Sequence, residues 1–188
     1  MCYHLKDEND LPFRENSDKN EKQIRETNKA LENISERESY LDWMASLPIT
    51  LETNNYRAVH AQWKNSSFEQ IKYSGIQKFN RDGLLKLYSN SNLITNLNIL
   101  LKGFEVVHPE KLMNIDISEL FFDFTDFYYL EDKPVFFGHY WLKPREFGLT
   151  SSNTCCLDFS IVKGGFLASY RFSGESQLSS GNLVKHID

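Results

Sequence analysis

Pro134-Val135-Phe136-Phe137-Gly138-His139 is an unbroken apolar run closed by a glycine and a histidine. A strand open to water on one face alternates apolar and polar residues, whereas a strand covered on both faces runs apolar throughout. The run therefore predicts a short central strand in a sheet that other layers cover. Helical spacings elsewhere in the chain make the class mixed, α/β (α+β). The run also sets an imidazole at the C-terminal end of a strand. Ligand and catalytic groups collect at such ends because the sheet is rigid and the loops beyond it are open to solvent.

The same arrangement occurs once more, upstream. Ile49-Thr50-Leu51-Glu52 alternates as a half-exposed strand does, Thr53-Asn54-Asn55 is a turn signal, and Tyr56-Arg57-Ala58-Val59-His60 reads as a second strand. Residues 49–60 are thus predicted to form a hairpin whose second strand ends at His60. Downstream, Cys155-Cys156-Leu157-Asp158-Phe159-Ser160-Ile161 and Phe166-Leu167-Ala168-Ser169-Tyr170-Arg171-Phe172 read as two more strands, joined by a tight turn at Lys163-Gly164-Gly165.

Helices are expected between these strands. Ile24, Leu31 and Ile34 recur at helical intervals and predict one helix over 20–37. Ser39 is a candidate cap for a second, short helix that Pro48 ends. Residues 66–79 and 82–101 read as mainly helical, with Asn and Ser interruptions around 89–92 and Gly103 as a terminator. Phe121-Phe122-Asp123-Phe124-Thr125-Asp126-Phe127-Tyr128-Tyr129 fits a strand or a buried helix equally, and 104–133 stays open. Residues 143–153 read as loop, and 173–188, rich in Ser, Gly and Asn, as a loose tail.

The 188 residues suit one domain, and 40% hydrophobic content is enough to build its core. A net charge of -5 argues against a nucleic-acid surface. No apolar run approaches the roughly 18 residues that cross a bilayer, so no membrane partner is expected. The chain opens on a polar, charged stretch with no secretory signal, which makes the cytoplasm the expected location. Of three cysteines, Cys155 and Cys156 are adjacent and Cys2 is remote, so neither a disulfide framework nor a zinc pattern is present. The adjacent pair reads as core thiols.

Neutral imidazole is a good ligand for zinc, manganese, iron or nickel. A histidine at a strand end also serves as a hydrogen-bonded structural residue. The 79 positions between His60 and His139 carry no spacing information. Two histidines do not complete a metal site, since zinc normally takes four ligands. His4, His108 and His186 have no motif around them and read as surface or structural residues. Lys143 and Arg145 lie in a loop where a cation can meet a phosphate, and read first as a solvated basic loop.

The text around the two histidines resembles the calcineurin-like metallophosphoesterases. Leu41-Asp42-Trp43-Met44-Ala45-Ser46-Leu47-Pro48, a strand, and then Arg57-Ala58-Val59-His60-Ala61-Gln62-Trp63 is similar to the family's block of helix, "SLP" turn and strand ending in "VHA" or "VHG". Pro134-Val135-Phe136-Phe137-Gly138-His139-Tyr140-Trp141 resembles the later "FGH" block. Cys156-Leu157-Asp158-Phe159-Ser160, Lys163-Gly164-Gly165 and Leu167-Ala168-Ser169-Tyr170-Arg171-Phe172 resemble the hairpin that follows it. Order and intervals agree across 40–172. The nearest branch is that of the phosphoprotein phosphatases and symmetrical diadenosine tetraphosphatases.

The resemblance implies that residues 1–172 are the C-terminal portion of a four-layer αββα metallophosphoesterase sandwich, with 173–188 outside it. It implies two divalent ions (Mn, Fe, Zn or Ni), with His60 and His139 both on the second. The substrate would be phosphorylated: a phosphoprotein, a dinucleoside polyphosphate or a small phosphoester. The earlier family motifs GDxHG, GDxxDRG and GNHE do not occur in the sequence. Cys2-Tyr3-His4 resembles the text that directly follows GNHE, so the remaining ligands and the catalytic acid are expected upstream of Met1. No catalytic residue is expected within this chain. It is then either an incomplete enzyme or a non-catalytic remnant or binding module. An unrelated α/β domain with two structural histidines is the reading without the resemblance.

The sequence also departs from the family pattern. Tyr140-Trp141 follows His139 without the second histidine of GHxH, Gln62 stands where relatives have glycine, His108 replaces an apolar residue before proline, and 110–130 matches poorly. Loss of the preceding strands is expected to uncover Val59, Phe136 and Phe137 and to leave the chain unstable alone. Each such exposed side chain forfeits roughly 1.5–3 kcal/mol.

Overall fold

The computed structural model describes residues 6–13, 17–76, 78–103 and 133–186. The unassigned stretch 104–132, with His108 in it, and His4 lie outside these residues. The chain groups into two compact units, one formed by residues 1–49 with 71–94 and the other by 50–70 with 95–188. The class is mixed α/β, as expected, with helices and two small sheets. Among the described residues no helix is long and apolar enough to cross a membrane.

In the first unit, capping chemistry sets the helix ends. α1 spans Asp18–Ala30 and α2 spans Ile34–Ser46. The single helix expected over 20–37 is therefore two. The Asn33 side chain accepts from the Glu36 N–H at 3.1 Å and starts a new helix three residues after the first one ends. Ser39, expected as a cap, sits inside α2. Leu47 turns extended ahead of Pro48, as the proline requires. α4 spans Arg81–Tyr88 in the same unit, whereas α3 at Asn65–Tyr73 and α5 at Ser91–Lys102 each divide between the units; α4 and α5 lie on either side of the Asn and Ser interruption expected around 89–92. Asn90 makes the break, accepting from the N–H groups of Asn92 and Leu93 at 3.0 and 3.3 Å.

The second unit holds both sheets. β1 (Leu51–Glu52) and β2 (Arg57–Ala58) form the expected hairpin. β3 (Val135–Phe137) lies parallel between β2 and β4 (Thr154–Cys156), in the order β1-β2-β3-β4. The second sheet is antiparallel, with β5 (Asp158–Phe159), β6 (Phe166–Tyr170) and β7 (Leu183–His186) in sequence order. The run 155–161, read as one strand, changes sheets at Leu157. Its first half pairs with β3 and its second with β6.

The turn between β5 and β6 is longer than a two-residue hairpin. Ser160 and Gly164 have positive φ on either side of a 3-10 turn at Ile161–Lys163. Gly165 packs against the Phe159 backbone so closely that an added Cβ would overlap its carbonyl oxygen. Only glycine fits there.

The tail expected to be loose is not. β7 pairs with β6 from Leu167↔His186 to Tyr170↔Leu183, and Leu178 and Leu183 are buried against Cys155. Two apolar residues among the Ser and Gly suffice to dock it. The predicted uncovering of the strands also fails for two of its three residues. Val59 and Phe137 are only 8% and 4% exposed. Phe136 is half-buried, with ring centroids 5.2–5.9 Å from those of Tyr56, Tyr170 and Phe172. Part of the cover on Phe136 comes from Tyr170 of β6 and from Phe172 just beyond it.

Candidate functional site

Parallel pairing brings the two strand ends together. The Val59 N–H donates to Phe136 O and the Gly138 N–H to His60 O, both at 3.0 Å, which carries the β2–β3 pairing to the last residues of both strands. His60 and His139 therefore leave the sheet side by side. Their ring centroids are 5.2 Å apart, with the planes at 52°.

His60 is exposed, and its ring is oriented from outside the strand. Its Nδ1 lies 2.9 Å from the Leu101 carbonyl oxygen. A carbonyl only accepts, so Nδ1 carries the hydrogen, and in the neutral tautomer Nε2 is the nitrogen with the lone pair. The acceptor comes from the last turn of α5, where carbonyls lack intrahelical partners. The Ala61 N–H takes the neighbouring Leu100 carbonyl at 2.9 Å. Gly103 ends the helix at a φ of +59°, and an added Cβ there would run into the Tyr140 hydroxyl.

His139 is positioned by its backbone. Its φ is 75°, and Trp141 follows at 50°. A non-glycine residue in this region costs roughly 1–2 kcal/mol, which persists only where surrounding contacts impose it. Here the contacts are hydrogen bonds on both flanks. The Gly138 N–H is held by His60 O, the Leu157 N–H donates to Phe137 O at 2.8 Å, and the Leu142 N–H to Asp158 O at 2.9 Å. Tyr140 turns inward and is buried, its ring edge-on to Phe137 and to His139 at 5.9 and 5.5 Å. Trp141 turns outward, and Lys163 Nζ lies 3.7 Å from its ring centroid.

The other candidates do not join this pair. Lys143 and Arg145 are exposed around the 3-10 turn Pro144–Glu146. His186 is on the surface, with Nε2 2.7 Å from Ser169 Oγ. Burial pushes the Cys155 and Cys156 thiols up to about 12. Thiolate is the form that binds metal or attacks, so burial makes both inert. Two further participants leave no sign in the sequence. The Leu101 carbonyl is a backbone group and leaves no trace in residue type. Asp158 lies against Gly138 and accepts from the Ser160 N–H at 3.0 Å. Among the described residues, no three His, Cys, Asp or Glu side chains converge as a metal would require.

The chain is thus a mixed α/β protein in which two imidazoles meet at the ends of neighbouring parallel strands. No protein-family model matches it, and neither a curated protein nor a solved structure is significantly similar to it.

Proposed function

We propose that this chain is the C-terminal portion of a calcineurin-like αββα metallophosphoesterase domain acting in the cytoplasm, and that His60 and His139 are its contribution to a two-metal site that hydrolyses phosphoric esters. The observation that carries the reading is the meeting of two histidines, 79 positions apart in sequence, at 5.2 Å between ring centroids. A structural histidine needs no second imidazole beside it. The outer hydrogen bond of His60 supports the same reading. Metal-binding histidines generally give their other N–H to a carbonyl or carboxylate, which fixes ring and tautomer. The proximity of the rings supports placing both imidazoles on one divalent ion, and among the described residues no group of three His, Cys, Asp or Glu side chains gathers for a second.

Divalent ions in such a centre supply the charge that acidifies water and neutralises a phosphoryl group. The chain's own residues do the positioning. Leu101 O orients His60 with Nε2 as the basic nitrogen, and the left-handed backbone at His139 brings the second ring beside it. By itself the chain is then a non-catalytic module, because fewer than three ligand side chains converge among the described residues.

The test has two parts. Cobalt added to the chain should shift the ring proton signals of His60 and His139 together in NMR spectra, and His60→Ala or His139→Ala should abolish the effect. Cobalt that moves neither ring sinks the metal reading. Turnover of p-nitrophenyl phosphate with manganese should be absent for the chain alone. It should appear when coding sequence bearing GDxHG, GDxxDRG and GNHE is joined upstream, and vanish in either histidine variant.

A further inference from the structure

The strand end that holds His139 also builds a surface that metal binding does not require. Trp141, two residues on, is 53% exposed, and the turn opposite it presents Val162 at 89%. Ile161 is exposed as well, and the Lys163 ammonium lies over the indole at 3.7 Å. None of this is loose chain. The Lys163 and Gly165 N–H groups both donate to Ser160 O, at 2.8 and 2.9 Å, and the Leu142 N–H ties the Trp141 segment to Asp158. The positive φ values at His139 and Trp141 turn Tyr140 into the core and the indole into water. An aromatic ring and a cation are held together, beside an exposed apolar turn, on a rim that shares its backbone with a candidate ligand.

We propose that Trp141 and Lys163 form a recognition rim that selects phosphates joined to a planar aromatic group; the proposal rests on reading the histidine pair as part of a phosphoesterase site. An indole stacks on any aromatic plane, and an ammonium pairs with phosphate. An aliphatic phosphate engages the cation alone. Aryl phosphates and nucleotides share this chemistry.

The test uses the whole chain without added metal, with phenyl phosphate, adenosine monophosphate, glycerol 3-phosphate and inorganic phosphate titrated by calorimetry or ligand-observed NMR. The better aromatic ligand should bind about tenfold more tightly than glycerol 3-phosphate, within the range of one stacked ring. Whichever aromatic ligand binds better identifies the source. Trp141→Ala should remove the preference, Trp141→Phe should keep part of it, and Lys163→Ala should weaken all four phosphates alike. Both side chains are exposed, so a melt unchanged by the substitutions certifies the fold. Equal affinity for aromatic and aliphatic phosphates, or a preference that survives Trp141→Ala, overturns the rim. Cobalt binding at the histidines is scored separately. Ring preference without cobalt binding removes the phosphoesterase reading and keeps the rim, whereas cobalt binding without ring preference removes the rim alone.

Discussion

The ends of β2 and β3 present the same residue type side by side, by opposite means. His60 follows a strand without a positive φ, and its ring is fixed by one hydrogen bond from a helix end. His139 has a left-handed backbone imposed by bonds to the strands on either side. The first arrangement depends on where an acceptor sits. The second depends on the path of the whole strand end, and through Leu142 and Asp158 on the second sheet. The two candidate ligands can therefore be lost by different kinds of change.

The largest effect is expected on the His139 side. In Gly165→Ala the new Cβ overlaps the Phe159 carbonyl, so the turn must shift and carry β5 with it. A loss of about 2–4 kcal/mol is expected in urea unfolding, with the His139 ring signal displaced more than that of His60. A His139 signal displaced no more than that of His60 would show that the second sheet does not hold His139. Next comes the His60 side. Gly103→Ala combines a positive φ with overlap on the Tyr140 hydroxyl, together about 2–3 kcal/mol. Adding Tyr140→Phe should recover only the overlap share, which a double-mutant cycle separates.

A smaller effect tests the comparison itself. At position 139, glycine should be more stable than alanine by about 1 kcal/mol, because glycine adopts positive φ freely. At position 60 the order should reverse. Thermal melts of the four variants decide, and the same sign at both positions would erase the distinction.

The smallest effect concerns acid. The Tyr170 hydroxyl, with backbone N–H groups of Glu175 and Ser173, holds the Glu175 carboxyl down at about 2 against 4.5. A depressed carboxyl favours the fold above its unfolded value, and the contribution fades as pH falls from about 4.5 through about 2. Acidification should loosen residues 173–182 and the β6–β7 pairing before β2. Amide exchange measured between pH 5 and 2 checks the order, and Glu175→Gln should remove the pH dependence.

Much of this was legible in residue types. Unbroken apolar text predicted β3, alternation with an Asn-rich turn predicted the β1–β2 hairpin, and Gly103 and Pro48 marked helix ends. These signals are local, because strand burial, turn preference and helix termination depend on a few consecutive residues. The misplaced boundaries have local causes too. Asn33 restarts a helix within a pattern whose apolar spacing reads as continuous, whereas the break at Asn90 falls in the Asn and Ser interruption visible at 89–92. The docking of 178–186 was harder to see, because a strand of four residues beside a partner of equal polarity leaves little pattern.

For the candidate site, the sequence by itself determined two strands, each closing on a histidine. Tertiary structure alone decided that these strands are parallel neighbours in register, that a helix-end carbonyl meets one ring, and that a left-handed turn delivers the other. Register is set by pairing between segments far apart in the chain, and a backbone carbonyl has no identity in a sequence. For that reason the histidines could be named before the fold was known, and their meeting could not.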